Sequence, residues 1–166
     1  MATKTLDTLF YETLRDVYYA ERKLHKALKK LSQGAHDPAL KEAFASHREE
    51  TEGHIDRLQQ IFEMMGKPAR AKTCDAIDGI TSEADEIMED FKGEPALDAG
   101  LLAAAQAAEH YEISRYGSLI AWARSLGMED AARLMEETLE EEKAADAKLS
   151  KLAGTAVNMA AKAKAA

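Results

Sequence analysis

The chain has 166 residues, of which 46% are hydrophobic and 31% charged, and its formal net charge is −8. This composition is typical of one mostly helical domain that is long enough to bury a core without covalent cross-links. The acidic balance argues against nucleic-acid binding, which requires a basic face. Cys74 is the single cysteine, which excludes an intrachain disulfide and a thiolate metal cage.

The sequence predicts neither a targeting segment nor a membrane span. The N-terminal residues lack the apolar part of a signal peptide, and no apolar run reaches the length of a membrane span. We therefore expect a cytoplasmic protein that makes no membrane contact. We predict one helical domain over residues 1–156 and a frayed C-terminal tail over residues 157–166.

Apolar residues at steps of three and four predict the first two helices. The first covers about residues 4–33, and Gly34 is expected to end it as a left-handed cap. Asp37 and Pro38 suit the N-cap and the first position of the second helix. This second helix is expected to end near Gly66.

The remaining sequence predicts one short helix and two long ones. The short helix lies within residues 69–93, and the long ones cover about residues 96–126 and 128–153, with Gly127 between them. No stretch alternates with period two, so we expect no strands and an all-α fold. Short loops make two antiparallel hairpins, and the long connector can return the chain along the bundle. This predicts a ferritin-like four-helix bundle with one long crossover that contains a short fifth helix; the alternative is a simple up-down bundle.

Glutamates interrupt the apolar stripe of each long helix. They include Glu21, Glu50, Glu109 and Glu142. Glu21 and Glu50 lie equally far from the turn that joins their helices, and Glu109 and Glu142 differ in height by about 4–5 Å around the next turn. Because several buried like charges are very costly without partners, the four glutamates predict a shared ligand.

Further metal-ligand residue types lie on the same stripes. His47 and His54 lie on the second helix, Glu112 follows Glu109 by three residues, and Asp146 follows Glu142 by four. Iron and manganese favour carboxylate and imidazole ligands, which facing helices of a bundle can present together. We therefore predict a dinuclear site for two metal ions, iron or manganese, with Glu109 as a bridging or terminal ligand. Glu112 is either a second ligand or a partner one turn away.

The ligand set departs from the common Glu-x-x-His pattern, which leaves the metal open. Asp146 takes the place of a histidine, so the set is richer in oxygen and poorer in nitrogen. A simpler alternative pairs the glutamates with arginines, such as Arg57, and leaves the histidines as ordinary hydrogen-bonded residues. Nearby tyrosines could bond a ligand, act in redox chemistry or pack in the core.

Four stretches resemble the YciF-like family of bacterial ferritin-like proteins. They are residues 14–21, residues 47–51, residues 104–106 with 109–113, and residues 137–143. The resemblance covers about residues 5–155 and implies a ferritin-like bundle, a homodimer, a dimetal site and an association with bacterial stress responses. Its motifs match the metal positions Glu21, His47, Glu50, Glu109, Glu112 and Glu142. The assignment of His54 and Asp146 as metal ligands depends mainly on helical register, not on a family motif.

The first functional hypothesis is therefore a di-iron or di-manganese protein that acts on oxygen or peroxide. The sequence shows no pocket for an organic substrate, so small oxidants are the simpler substrates. The alternative is a non-catalytic structural or interaction protein of the stress response that binds metal weakly or not at all. Iron storage is the least favoured hypothesis, since the chain shows no surface for assembling a large shell.

Overall fold

The computed structural model describes residues 3–162, which contain helices and no β-strand. Its five main helices are α1 (Leu6–Gly34), α2 (Pro38–Met64), α3 (Asp75–Asp90), α4 (Leu97–Ser125) and α5 (Glu129–Leu152). The four long helices begin and end within a few residues of the predicted positions. The all-α class and the short helix in the connector are confirmed.

Two of the predicted helix ends are explained by local hydrogen bonding and backbone geometry. The Asp37 carboxylate accepts a hydrogen bond of 2.9 Å from the Leu40 amide, and Pro38 opens α2, as predicted. Gly127 adopts a φ of 73° between α4 and α5, a conformation that favours glycine. Asp37 thus stabilises the short turn of the first hairpin, and Gly127 allows the short turn of the second.

The prediction that Gly34 is a left-handed cap is wrong. In the described part of the chain, positive φ values occur only at Gly66, Gly93 and Gly127, and Gly34 is still within α1. A side chain at Gly34 would begin 3.1 Å from the sulfur of Met88 on α3. The close approach of α3 therefore leaves little room for a side chain at this position.

The connection between the two hairpins is a long crossover, as predicted. The Asp98 carboxylate, in the first turn of α4, accepts hydrogen bonds from the amides of His36 (2.8 Å) and Asp37 (2.6 Å), just before α2. Helices α2 and α4 consequently start at the same end of the bundle and run parallel. The alternative up-down bundle requires them to be antiparallel and is excluded.

The buried core contains two large apolar layers, besides a small cluster around Ile77. One layer surrounds Phe10 and Leu58, and the other surrounds Phe44 and Leu101. The buried charged residues are near the middle of each of the four long helices. Along each helix, residues of one apolar layer precede them and residues of the other layer follow them. The apolar layers hold the helices together on both sides of this polar layer and thereby position it.

Helical structure continues past residue 156, where the predicted domain ends. Residues Ala153–Val157 form a π-helical turn, Asn158–Ala160 form a further helical turn, and Val157 is buried. The expected tail thus starts with one buried residue, Val157, followed by the exposed turn Asn158–Ala160, and residues 163–166 lie outside the described part. Among the described helices, none has the length and apolar composition to cross a bilayer.

Candidate metal centre

Six of the eight predicted ligand residues meet in the polar layer. They are Glu21 on α1, His47 and His54 on α2, Glu109 and Glu112 on α4, and Glu142 on α5. Each is at most 7% exposed. We call these six residues the Glu/His cluster. The predicted common height of Glu21, Glu109 and Glu142 thus corresponds to a real convergence of side chains.

The Glu/His cluster divides into two groups that share one carboxylate. His47, Glu109, Glu112 and Glu142 form one group, and Glu21, His54 and Glu142 form the other. In each group one potential ligand atom per residue lies within 4.8 Å of the others. Glu142 belongs to both groups, whereas Glu109 belongs to one. The arrangement suits two neighbouring cations with Glu142 between them.

The two histidines each turn one ring nitrogen towards the shared carboxylate. His54 Nδ1 lies 2.9 Å from Glu142 Oε1, and His47 Nε2 lies 3.3 Å from Glu142 Oε2. His47 Nε2 is also 3.1 Å from Glu109 Oε1, and His54 Nδ1 is 3.4 Å from Glu21 Oε2. Nitrogen and oxygen atoms therefore face the same small volume from four helices.

Many of these buried atoms have no aligned hydrogen-bond partner. They include His54 Nδ1, Glu21 Oε2, Glu109 Oε2 and both carboxylate oxygens of Glu112 and Glu142. Burying an unsatisfied polar atom costs about 1–3 kcal/mol, and more if it is charged. The atoms lie close together yet do not point at one another as donors and acceptors. This geometry fits ligands that are directed at a common cation.

The outward ring nitrogens of both histidines do have partners. His47 Nδ1 donates to Glu50 Oε2 over 3.0 Å, and His54 Nε2 donates to Glu141 Oε2 over 2.8 Å. Arg57 holds Glu141 in turn with two hydrogen bonds, of 2.6 and 2.9 Å. A metal-ligating histidine commonly bonds a carboxylate through its other nitrogen, which fixes the ring orientation. Sequence reasoning missed this role of Glu141, because Glu141 lies outside the apolar stripe of its helix and its partners are on α2.

The structure does not bring Glu50 and Asp146 into the Glu/His cluster. The Glu50 side chain is 43% exposed, because His47 and His54 are two turns apart on one face of α2 and Glu50 is rotated away from it by about 60°. Asp146 lies one turn beyond Glu142, where it accepts a hydrogen bond of 3.1 Å from Gln106. Neither residue contacts the cluster's carboxylates as a predicted ligand would.

Tyr116 is the tyrosine that contacts the Glu/His cluster directly. Its hydroxyl donates to Glu21 Oε1, and both side chains are fully buried. The other Glu21 oxygen, Oε2, faces His54. Tyr116 therefore satisfies one oxygen of Glu21 and leaves the other directed into the cluster. Of the predicted roles for the tyrosines, a hydrogen bond to a ligand carboxylate matches this contact.

Protons stabilise the Glu/His cluster in the protein without metal. Burial raises the pKa of Glu109 to about 8, although His47 opposes the shift. Burial and the neighbouring carboxylates also raise the pKa of Glu112 well above its usual range. Burial lowers the pKa of His54, but neighbouring carboxylates outweigh it and raise the value to about 10. At neutral pH several ligand atoms thus carry protons that a cation would displace.

An all-helical bundle with a single long crossover and a buried carboxylate–histidine layer is a ferritin-like protein. The family model described as "Domain of unknown function (DUF892)" matches residues 5–162. The chain therefore belongs to the DUF892 family. The resemblance to YciF-like proteins is confirmed as well, because protein YciF of Escherichia coli (strain K12) is 45% identical over 167 residues, which cover 99% of this chain and 100% of YciF.

Solved structures show the same fold. The structure of the E. coli stress protein YciF matches with a TM-score of 0.88 and 42% identity, over 94% of this chain and 99% of that chain. YcfI from Rhodopseudomonas palustris, described as a candidate structural protein, matches with a TM-score of 0.85 and 46% identity, over 88% of this chain and 93% of that chain. These matches extend along nearly the whole bundle.

Proposed function

We propose that this protein binds two iron or manganese ions in the Glu/His cluster and acts on oxygen or peroxide during stress. The observation that carries the proposal is the pair of buried ligand groups that share Glu142 and leave several oxygens without partners. Its relative YciF is described as a stress protein. The oxygen-rich ligand set suits iron or manganese better than softer metals.

The residues of the Glu/His cluster have distinct roles in this proposal. His47, Glu109 and Glu112 would hold one ion, His54 and Glu21 would hold the other, and Glu142 would bridge the two. Bound iron or manganese would supply redox chemistry and activate a small oxidant. The protein itself orients the histidines through Glu50 and Glu141 and surrounds the centre with apolar side chains that limit access by water.

The proposal is tested by metal analysis of protein purified without chelator, followed by anaerobic Fe(II) or Mn(II) titration. About two equivalents should bind, and at a free metal concentration of 100 times Kd each occupied site should stabilise the folded state by about 2.7 kcal/mol. A protein that takes up no Fe(II) or Mn(II) and keeps its melting temperature would overturn the proposal. Peroxide consumption by the iron-loaded protein then separates redox activity from a passive site.

A second candidate function is that of a non-catalytic structural protein of the stress response. Two observations favour it: histidines and carboxylates already form close pairs within the Glu/His cluster, and the relative YcfI is described as a candidate structural protein. In that case the cluster would serve as a polar layer that fixes the packing of the four helices. The metal titration separates the two functions.

Assembly into a homodimer is part of the proposal. Size-exclusion chromatography with light scattering should give about twice the mass of the 18.2 kDa chain. A large multi-subunit shell would instead favour iron storage, because storage requires an enclosed cavity. A monomer would contradict the dimer and leave the metal site itself unaffected, since all six cluster residues come from one chain.

The contact between Glu141 and His54 is expected to strengthen metal binding. Glu141→Ala removes the carboxylate that accepts from His54 Nε2, so the ring loses its fixed orientation. We expect metal affinity in the His54 group to fall about 10–100-fold. Calorimetric titration measures this change. Glu140→Ala is the matched control, because Glu140 precedes it on α5 and is 71% exposed; equal effects of both variants would contradict the role of Glu141.

A further inference from the structure

A cavity of about 100 Å³ leads from the protein surface to one side of the Glu/His cluster. It lies mainly between α2 and α5, and His47 and Glu109 are among its lining residues. The apolar side chains of Leu28, Phe44 and Leu149 form part of its wall. The cavity therefore combines an apolar wall with two of the residues that would hold a metal ion.

A smaller void continues the cavity towards the interior. It measures about 20 Å³, shares Leu28, His47 and Glu109 with the larger cavity, and is also lined by Glu112. Both oxygens of Glu112 are buried without a hydrogen-bond partner. A molecule in the cavity thus lies beside His47 and Glu109, and the adjoining void extends the space to Glu112.

The size and charge of the cavity restrict what it can admit. A volume of about 100 Å³ is well below the roughly 300–1,000 Å³ of pockets that hold drug-sized ligands. Lys148 and Glu50 are the charged residues that line it besides His47 and Glu109, and they carry opposite charges. Opposite charges give little net attraction to an ion, and the apolar wall disfavours a charged ligand.

We propose that this cavity is the binding pocket through which a small uncharged molecule reaches the His47 side of the Glu/His cluster. This proposal rests on the proposed metal-binding function and adds to it the side of the cluster from which such a molecule enters. Ala145 lines the cavity from α5, so a larger side chain at this position would fill part of the volume. Ala147 lies two residues further along α5, is exposed and does not line the cavity.

The test uses nitric oxide, a small uncharged probe whose binding to ferrous iron produces visible absorption. Parent protein, Ala145→Leu and Ala147→Leu are loaded anaerobically with Fe(II), and their iron content and melting temperature are measured. Stopped-flow mixing then gives the rate of nitric oxide binding. We expect equal iron content in all three proteins, a rate at least tenfold lower in Ala145→Leu, and an unchanged rate in Ala147→Leu.

The outcomes separate the pocket from the metal site. Normal iron content with an unchanged rate in Ala145→Leu would overturn the pocket and leave the metal site intact. A parent protein that binds no iron would overturn both proposals. If Ala145→Leu melts at a much lower temperature, Ala144→Leu fills the cavity from a neighbouring lining position and is measured in the same way.

Discussion

Glu142→Gln is expected to disrupt both proposed metal positions at once. The substitution keeps the shape of the side chain but removes the negative charge that faces His47 and His54. Because Glu142 belongs to both ligand groups, its loss leaves two ligands in the Glu21 group and weakens the other group. We expect a loss of metal affinity of at least about 100-fold, because losing a carboxylate ligand should cost more than the about 10–100-fold that follows the loss of a residue that only orients a ligand.

Comparison with Glu21→Gln distinguishes a carboxylate that serves both metal positions from one that serves a single position. Glu21 belongs to one ligand group, so its variant should retain about one of the two equivalents of metal. Glu142→Gln should retain well below one under the same conditions. Metal content after gel filtration and calorimetric titration measure both values. Equal losses in the two variants would contradict the bridging position of Glu142.

The fold was predictable because local patterns agreed with the tertiary structure. The apolar stripes, the Asp37 cap and the long connector each depend on a few neighbouring residues, and together they determine the crossover topology. Gly34 was misassigned because its role depends on Met88, a residue far along the chain. Local sequence shows that a glycine is near a helix end but does not show which helix packs on it.

The candidate site was predictable to the extent that helical register determines direction. Glu21, Glu109 and Glu142 lie on the apolar faces of their helices, and the structure brings them together. Glu50 is on the edge of such a face, where a rotation of about 60° decides between interior and surface. Glu141 lies on a face that looks solvated in sequence, and its role depends on Arg57 and His54 on another helix.

The metal-free protein can be stable only if protons compensate the buried carboxylates. Four glutamates and two histidines occupy the Glu/His cluster, and Glu112 has no hydrogen-bond partner for either oxygen. The raised pKa values of Glu109 and His54 show how the charges are balanced, since both groups retain protons at neutral pH. Metal ions would replace these protons with fixed positive charge, so pH should affect the two forms of the protein differently.

Raising the pH is expected to destabilise the metal-free protein. The folded state keeps the proton of Glu109 up to a pKa of about 8, whereas the unfolded chain releases it near the ordinary value of 4.5. The folded state likewise keeps the proton of His54 up to a pKa of about 10, whereas the unfolded chain releases it near the ordinary pKa of 6.5. The unfolded state therefore binds fewer protons in this range, and the free energy of unfolding falls by up to about 1.4 kcal/mol per pH unit for each group.

Thermal unfolding between pH 6 and pH 9 measures this dependence with chelator and with Mn(II) under anaerobic conditions. The melting temperature of the metal-free protein should fall by at least about 2–4 °C per pH unit for each proton released. The Mn(II)-loaded protein should not show this fall, because its ligands have already lost their protons. Glu109→Gln is the control, since its neutral amide imitates the protonated acid and should reduce the slope in the metal-free protein. A metal-free melting temperature that rises from pH 6 to pH 9 would contradict this account of the cluster's charges.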